Sequence, residues 1–212
     1  MTGKRPSLPR LMIVSSGGEH LAHRGLALKQ AQALARSAPV LFQLREKGLD
    51  AASIWQLSLQ IAPILKEAGS ILALNERFDL ALATGAGGVH LPESSCPADA
   101  VRKAARGLLA GQSVHSETAA LQASSAGLDY LLFGPVFHTP SKEPFGPPQG
   151  LERLREICAK VRIPVFAVGG VTPEKALACL ECGAWGVAAL TPFLDAEAMP
   201  ETINRFFAFI PS

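Results

Sequence analysis

The chain has 212 residues, 48% of them hydrophobic and 18% charged, with a formal net charge of +2. That composition excludes a disordered chain, and lysines and arginines spread along the sequence leave no footprint of a nucleic-acid surface. No apolar run approaches membrane-spanning length, so a soluble, cytoplasmic protein with no membrane partner is expected, long enough for one sizeable core.

The chain opens with "MTGKRPSLPR", basic and proline-containing, followed only by the short apolar run "LMIV". A signal peptide needs a longer apolar stretch, so residues 1–10 are predicted to be a flexible tail. From there, runs rich in Val, Leu and Ile alternate with stretches of helical period. Strands are predicted to start near Leu11, Val40, Ser70, Gly88, Leu108, Asp129, Ile163 and Trp185. Between and after them come helices such as "LALKQAQALARSA", "DAASIWQLSLQIAPILKEAG", "PADAVRKAARG", "GLERLREICAKV" and "PETINRFFAFI". Alternation of this kind argues for parallel strands joined by crossovers. The strands are apolar without clean alternation, as parallel strands covered by helices should be. Eight such units over residues 11–212 predict one α/β domain, a single (β/α)8 TIM barrel, with a doubly wound open sheet as the runner-up.

The helix ends are punctuated. "TGAGGVHL" and "CGAWGVAAL" each place Gly just past a helix and before a strand, where a left-handed backbone closes the helix. In "GGVTPEKA", Thr172 is an N-cap candidate and Pro173 the first helical residue. Cys179 and Cys182 form a CxxC that closes a helix rather than opening one, and no second ligand pair at zinc spacing accompanies it. With Cys96 and Cys158 they read as reduced thiols, packing in the manner of small apolar side chains. The one long irregular segment is "FHTPSKEPFGPPQG" after the sixth strand, and a loop of that kind is usually functional or mobile.

Barrel enzymes carry their sites at the carboxyl ends of the strands. There the sequence delivers Ser15 and Ser16, then Gln43, Arg45, Glu46 and Lys47, then Asn75 and Glu76. The later strands add His90, Pro92 and Glu93, then Ser113 and His115, then Gly134, Thr139, Ser141 and Lys142, then Gly169 and Gly170, and finally Thr191. Arg45 and Lys47, spaced i, i+2, are expected to leave a strand on one face and, with Lys142, to suit phosphate oxygens. Singly, each is as well explained as solvated rim charge. "VGGVTPE" adds backbone N–H groups at a helix start after the seventh strand, where barrels commonly bind phosphate.

At "QLREK", "LNERFDLALATGAGGVHL", "GQSVHS", "DYLLFGPVFHTPSK" and "PVFAVGGVTPE" the sequence resembles the thiamine phosphate synthase family, with the motifs in order over most of the chain. The family has two principal activities. The synthase joins a pyrimidine pyrophosphate to a thiazole phosphate carboxylate with Mg²⁺; a thiazole tautomerase branch aromatises the thiazole phosphate carboxylate by moving a proton, with no cofactor. The resemblance implies that Gln43 contacts the pyrimidine and that Arg45, Lys47, Ser113, Thr139, Ser141 and Lys142 cradle phosphate or pyrophosphate. It implies also that Asn75 lies in the substrate site and that Gly169, Gly170 and the loop at Thr191 hold the thiazole phosphate.

Two departures bear on the metal. Where the synthase pattern has "NDR", this chain has "NER" with Glu76; where it has "GVHLGQED", this chain has "GVHLPESS", ending in Ser95. Magnesium wants hard oxygen ligands in strict octahedral geometry. Glu76 and Ser95 therefore read as a degenerate site with no metal expected, Glu93 standing two residues early as a substitute. "SVHS" resembles the tautomerase branch, where its histidine is the implied proton-transfer residue, and His115 has a side chain suited to that task. A hydrogen-bonded structural histidine is the competing reading, and His90 in "GVHL" is less promising still. On balance the sequence favours a thiazole tautomerase-like isomerase. The Mg²⁺-dependent synthase is the alternative, and a non-catalytic thiazole-phosphate binder is the third reading. The expected partners are the small-molecule thiazole phosphate, joined by the pyrimidine pyrophosphate under the synthase reading, with self-association into a homo-oligomer left open.

Overall fold

The structure, a computed structural model, describes residues 8–15, 25–140 and 147–210. Eight parallel strands follow one another in order and close into a barrel: β1 (Leu11–Val14), β2 (Leu41–Leu44), β3 (Ile71–Asn75), β4 (Gly88–Leu91), β5 (Leu109–Val114), β6 (Tyr130–Phe133), β7 (Val165–Val168) and β8 (Gly186–Ala189). Around them run α1 (Leu26–Leu34), α2 (Ala51–Glu67), α3 (Phe78–Thr84), α4 (Ala98–Ala104), α5 (Glu117–Ser125), α6 (Gly150–Lys160), α7 (Pro173–Glu181) and α8 (Met199–Phe207). This is the expected (β/α)8 barrel rather than an open sheet. The tail expected over residues 1–10 lies outside the described residues as far as residue 7. Its end is pinned: the Trp185 indole N–H donates to the Pro9 carbonyl at 3.3 Å, and Arg10 Nε donates to the Trp185 carbonyl at 2.8 Å.

The strand starts agree with the sequence reading to within two residues. The largest offset is at β7, expected at Ile163 and observed at Val165. Pro164 lies between them; it has no N–H to donate, so it enters the ladder only through its carbonyl, which takes the Leu131 N–H at 2.8 Å. Helix α1 stops at Leu34 rather than running on to Ala38, where the Ser37 hydroxyl donates to the Leu34 carbonyl at 3.1 Å and turns the chain locally. Gly85 (φ 72°) and Gly183 (φ 93°) close α3 and α7 in the left-handed conformation that the two sequence patterns called for. Thr172 does stand at the N-cap of α7, yet its hydroxyl caps no helix N–H and instead bonds the Glu174 carboxylate.

Side chains on the strands divide by parity. One set packs outward against the helices. The other fills the barrel interior with Met12, Leu41, Ile71, Ala73, Tyr130, Leu132, Phe166 and Ala188. Tyr130, the bulkiest of these, is wholly buried and exists only because its β5 neighbour is Gly111: a Cβ there would fall 2.1 Å from the Tyr130 ring. Cys179 and Cys182 are buried under α7 and Cys158 is half-buried. Burial pushes the Cys158 thiol up to about 11 and Cys179 up to about 12, so both are protonated near neutrality and pack as apolar groups.

Candidate active site

Above the apolar interior the same inward parity turns polar. Gln43 follows Leu41 by two residues on β2, Asn75 follows Ala73 on β3, and Ser113 follows Gly111 on β5. His90 lies level with Asn75 on one side and Gly111 on the other. The Gln43 amide donates to the Asn75 carbonyl oxygen at 2.9 Å, which fixes both amides and leaves the Gln43 carbonyl and the Asn75 amide N–H groups for a ligand. The imidazole of His90, 1% exposed, spans Tyr130 and Ser113: Nδ1 lies 3.1 Å from the phenol oxygen and Nε2 2.9 Å from the Ser113 hydroxyl. Burial, reinforced by the positive charge of Arg45, pushes His90 down to about 3. It is therefore a neutral ring wedged between two hydroxyls, and the sequence reading that set it aside missed this. The signal was its parity, since "GVHL" places it in step with Gln43, Asn75 and Ser113.

His115 sits just past β5, immediately before Ser116, whose hydroxyl caps α5 by accepting the Ala119 N–H at 3.1 Å. The residue is held from three directions. The main-chain N–H donates to Glu93 Oε2 at 2.8 Å, the main-chain carbonyl accepts from Gln149 Nε2 at 3.3 Å, and ring Nδ1 donates to the Gly134 carbonyl at 2.6 Å. A carbonyl can only accept, so Nδ1 carries the proton and Nε2 of the neutral ring keeps its lone pair. Glu93 thus has one carboxylate oxygen engaged with the backbone of the next loop.

The cations fall out differently from the expectation. β2 ends at Leu44, so alternation no longer governs Arg45 and Lys47. Arg45 is half-buried, with its backbone N–H on the Ser15 hydroxyl at 2.8 Å, whereas Lys47 is exposed in a turn and Glu46 between them is buried. Thr139 is half-buried beyond β6, and Ser16, Ser141 and Lys142 lie outside the described residues. Past β7, Gly169 (φ 95°) and Gly170 (φ 63°) adopt left-handed backbone, and a Cβ on Gly170 would lie 2.3 Å from the His138 carbonyl. Lys175, one turn into α7, donates to the Gly170 carbonyl at 3.2 Å and was not singled out from sequence. Thr191 opens a 3-10 turn, Thr191–Phe193, that follows β8. The buried Gln30 of α1 clamps this turn by donating to the Phe193 carbonyl at 2.7 Å.

Glu76 supplies one carboxylate from a left-handed backbone (φ 65°), with its N–H on the His90 carbonyl at 2.8 Å. Ser95 Oγ is buried and has no hydrogen-bond partner among the described residues. Magnesium is commonly held by one or two carboxylates together with substrate phosphates, and a serine hydroxyl serves that ion in other phosphate-handling sites. Glu76 and Ser95 thus offer one carboxylate and one buried hydroxyl on neighbouring loops, and no group of three or more His, Cys, Asp or Glu side chains able to hold a metal forms among the described residues.

A closed barrel with its polar side chains gathered at the carboxyl ends of the strands has the form of a barrel enzyme. The family model described as thiamine monophosphate synthase matches residues 11–193, from β1 to the turn after β8. The chain belongs to the thiamine monophosphate synthase family. It is 36% identical over 191 residues to a thiamine-phosphate synthase of Methanocella arvoryzae, covering 90% of this chain and 88% of that one. A thiamine-phosphate synthase of Moorella thermoacetica is 38% identical over 174 residues, covering 82% of each chain. Among solved structures, a thiamine phosphate pyrophosphorylase from Pyrococcus furiosus superposes with a TM-score of 0.81 at 26% identity, covering 97% of this chain and 96% of that one.

Proposed function

We propose that the chain is a thiamine-phosphate synthase, condensing a hydroxymethylpyrimidine pyrophosphate with a thiazole phosphate carboxylate. This reverses the preference drawn from sequence alone. The observation that carries it is the match, along nearly the whole barrel, to relatives named thiamine-phosphate synthase. In this reading the Gln43–Asn75 pair orients the pyrimidine by presenting one acceptor and one set of donors. Arg45 and Ser113 donate to the pyrophosphate, which departs with the electron pair of its bond to the pyrimidine methylene carbon; the thiazole ring nitrogen forms the new bond to that carbon, and the thiazole carboxylate leaves as CO2. Gly169, Gly170 and the turn at Thr191 hold the thiazole phosphate through backbone N–H groups. Lys47, Thr139, Ser141 and Lys142 complete the anionic cradle. Glu76 and Ser95 would hold Mg²⁺, whose contribution when bound is to neutralise charge on the pyrophosphate oxygens.

One observation favours a second reading. His115, just past β5, is oriented by its Nδ1 contact with the Gly134 carbonyl at 2.6 Å, as a residue placed for proton transfer on a thiazole would be. A two-substrate assay separates them. With both substrates and Mg²⁺, formation of thiamine phosphate supports the synthase. Aromatisation of the thiazole tautomer without thiamine phosphate formation would replace it by the tautomerase.

A further inference from the structure

Tyr130 and His90, which the proposed reaction does not use, form a row that ends on Ser113. Tyr130 is 0% exposed and lies among Met12, Leu41, Ile71, Phe166 and other apolar side chains. Its phenol oxygen has one hydrogen-bond partner among the described residues, His90 Nδ1 at 3.1 Å. His90 in turn has one further partner, the Ser113 hydroxyl at 2.9 Å from Nε2.

Two proton arrangements can fill this row, and they are not equivalent. If Nδ1 carried the proton it would donate to the phenol oxygen, and the phenol's own hydrogen would be left in an apolar core with nothing to receive it. A buried donor without an acceptor costs more than a made hydrogen bond returns. If the phenol donates to Nδ1 instead, every buried group is satisfied. Nε2 then carries the proton and donates to Ser113 Oγ. The Ser113 hydroxyl, already accepting from the histidine, has its own hydrogen free to point away from the ring.

We infer that Tyr130 and His90 act as positioning residues that fix the direction of the Ser113 hydroxyl, making it a donor toward an anionic oxygen at the barrel mouth. The inference deepens the synthase reading, in which that oxygen belongs to the pyrophosphate. His90 does no proton transfer in this role. It passes the polarity of a buried phenol up one strand level to the substrate. Gly111 is part of the device, because a Cβ there would occupy the place of the Tyr130 ring.

The test has a spectroscopic arm that does not depend on any activity. In the ligand-free protein labelled with ¹⁵N histidine, the His90 Nε2 resonance should be pyrrole-like and Nδ1 pyridine-like, and Tyr130→Phe should shift the ring toward the opposite tautomer. A pyridine-like Nε2 in the unaltered protein overturns the inference, whatever the enzyme catalyses. The second arm titrates inorganic pyrophosphate with Mg²⁺. Tyr130→Phe should weaken its binding roughly tenfold, the scale of a hydrogen bond to a charged group, and should raise KM for the pyrophosphate substrate with kcat nearly unchanged. In a Ser113→Ala background the same change should cost nothing further, because the donor being oriented is gone. Equal losses from Tyr130→Phe with and without Ser113 would overturn the coupling. Pyrophosphate that binds neither protein while the His90 tautomer is as expected would count against the synthase reading and leave the proton arrangement standing.

Discussion

The Glu93 carboxylate accepts the main-chain N–H of His115 at 2.8 Å, tying the loop after β4 to the residue that ends β5. The bond is to backbone, so it fixes where His115 stands whatever its ring does. Glu93→Ala should cost about 1 kcal/mol of stability, the worth of one such bond at an exposed site. Glu93→Gln retains an acceptor and should cost less. Denaturant titration of both variants checks the order, and equal losses would show that charge rather than the bond matters.

Glu76 holds a left-handed backbone (φ 65°) that a side chain other than Asn or Gly adopts at a cost. Glu76→Asn should therefore leave stability unchanged or raise it by about 0.5 kcal/mol. If Glu76 helps hold the metal, thiamine phosphate formation should fall at least about tenfold and need more Mg²⁺. Ser95→Asp should act in the opposite sense and lower the Mg²⁺ requirement. Thermal unfolding and a Mg²⁺ titration of the rate together check this. A Glu76→Asn enzyme with an unaltered metal requirement would remove the residue from the site.

The His90 imidazole is pushed from 6.5 down to about 3 in the folded protein, while in the unfolded chain it titrates normally. Below pH 6.5 the unfolded state binds the proton and the folded state does not, so stability falls as pH falls from about 6.5 toward 3 and is full above that window. The slope approaches roughly 1.4 kcal/mol per pH unit for one such group. Asp79, held low by Arg77, and Glu117, held low by Lys160, lose their contributions only in the more acidic carboxylate range. Between about pH 4.5 and 6.5 the histidine term stands apart. His90→Gln should flatten the stability profile there, and an unchanged slope would place the acid sensitivity elsewhere.

His115→Asn removes the titratable group and keeps much of the size. On the synthase reading, thiamine phosphate formation should stay within about tenfold of the unaltered rate, since no proton transfer there depends on Nε2. Aromatisation of the thiazole tautomer, measured in parallel, should fall roughly 100-fold through kcat with KM nearly constant. A fall in synthase turnover as large as that would put His115 in the condensation itself.

The barrel was legible because each strand is a short apolar run bounded by glycine or polar residues, and covered parallel strands need little more. The polar layer was legible in part. Arg45 and Asn75 were legible as strand-end residues, but strand alternation does not extend to Lys47, because β2 stops at Leu44 and Lys47 lies exposed in the following turn. His90 was passed over because a histidine inside "GVHL" looks the same in one dimension whether it faces the helices or the mouth. Only its register with Asn75 and Gly111 distinguishes them. Glu93 could not be read at all, for its partner is a backbone N–H that carries no signature of residue type.

The seam between β1 and β8 joins Met12 to Ala188, and the Arg10 carbonyl accepts the Val187 N–H there at 3.0 Å. On the ribosome every other strand emerges before β8, the second partner of β1, exists, and pairing across so long a separation is slow to form. Until it forms, β1 and β8 both show bare edges, which are templates for joining other chains. Gly186 is where the gap is sealed, since a Cβ there would lie 2.0 Å from the Arg10 carbonyl oxygen. A side chain at that position should act first on the nascent chain: Gly186→Val should be recovered as aggregate, with little soluble protein left to assay.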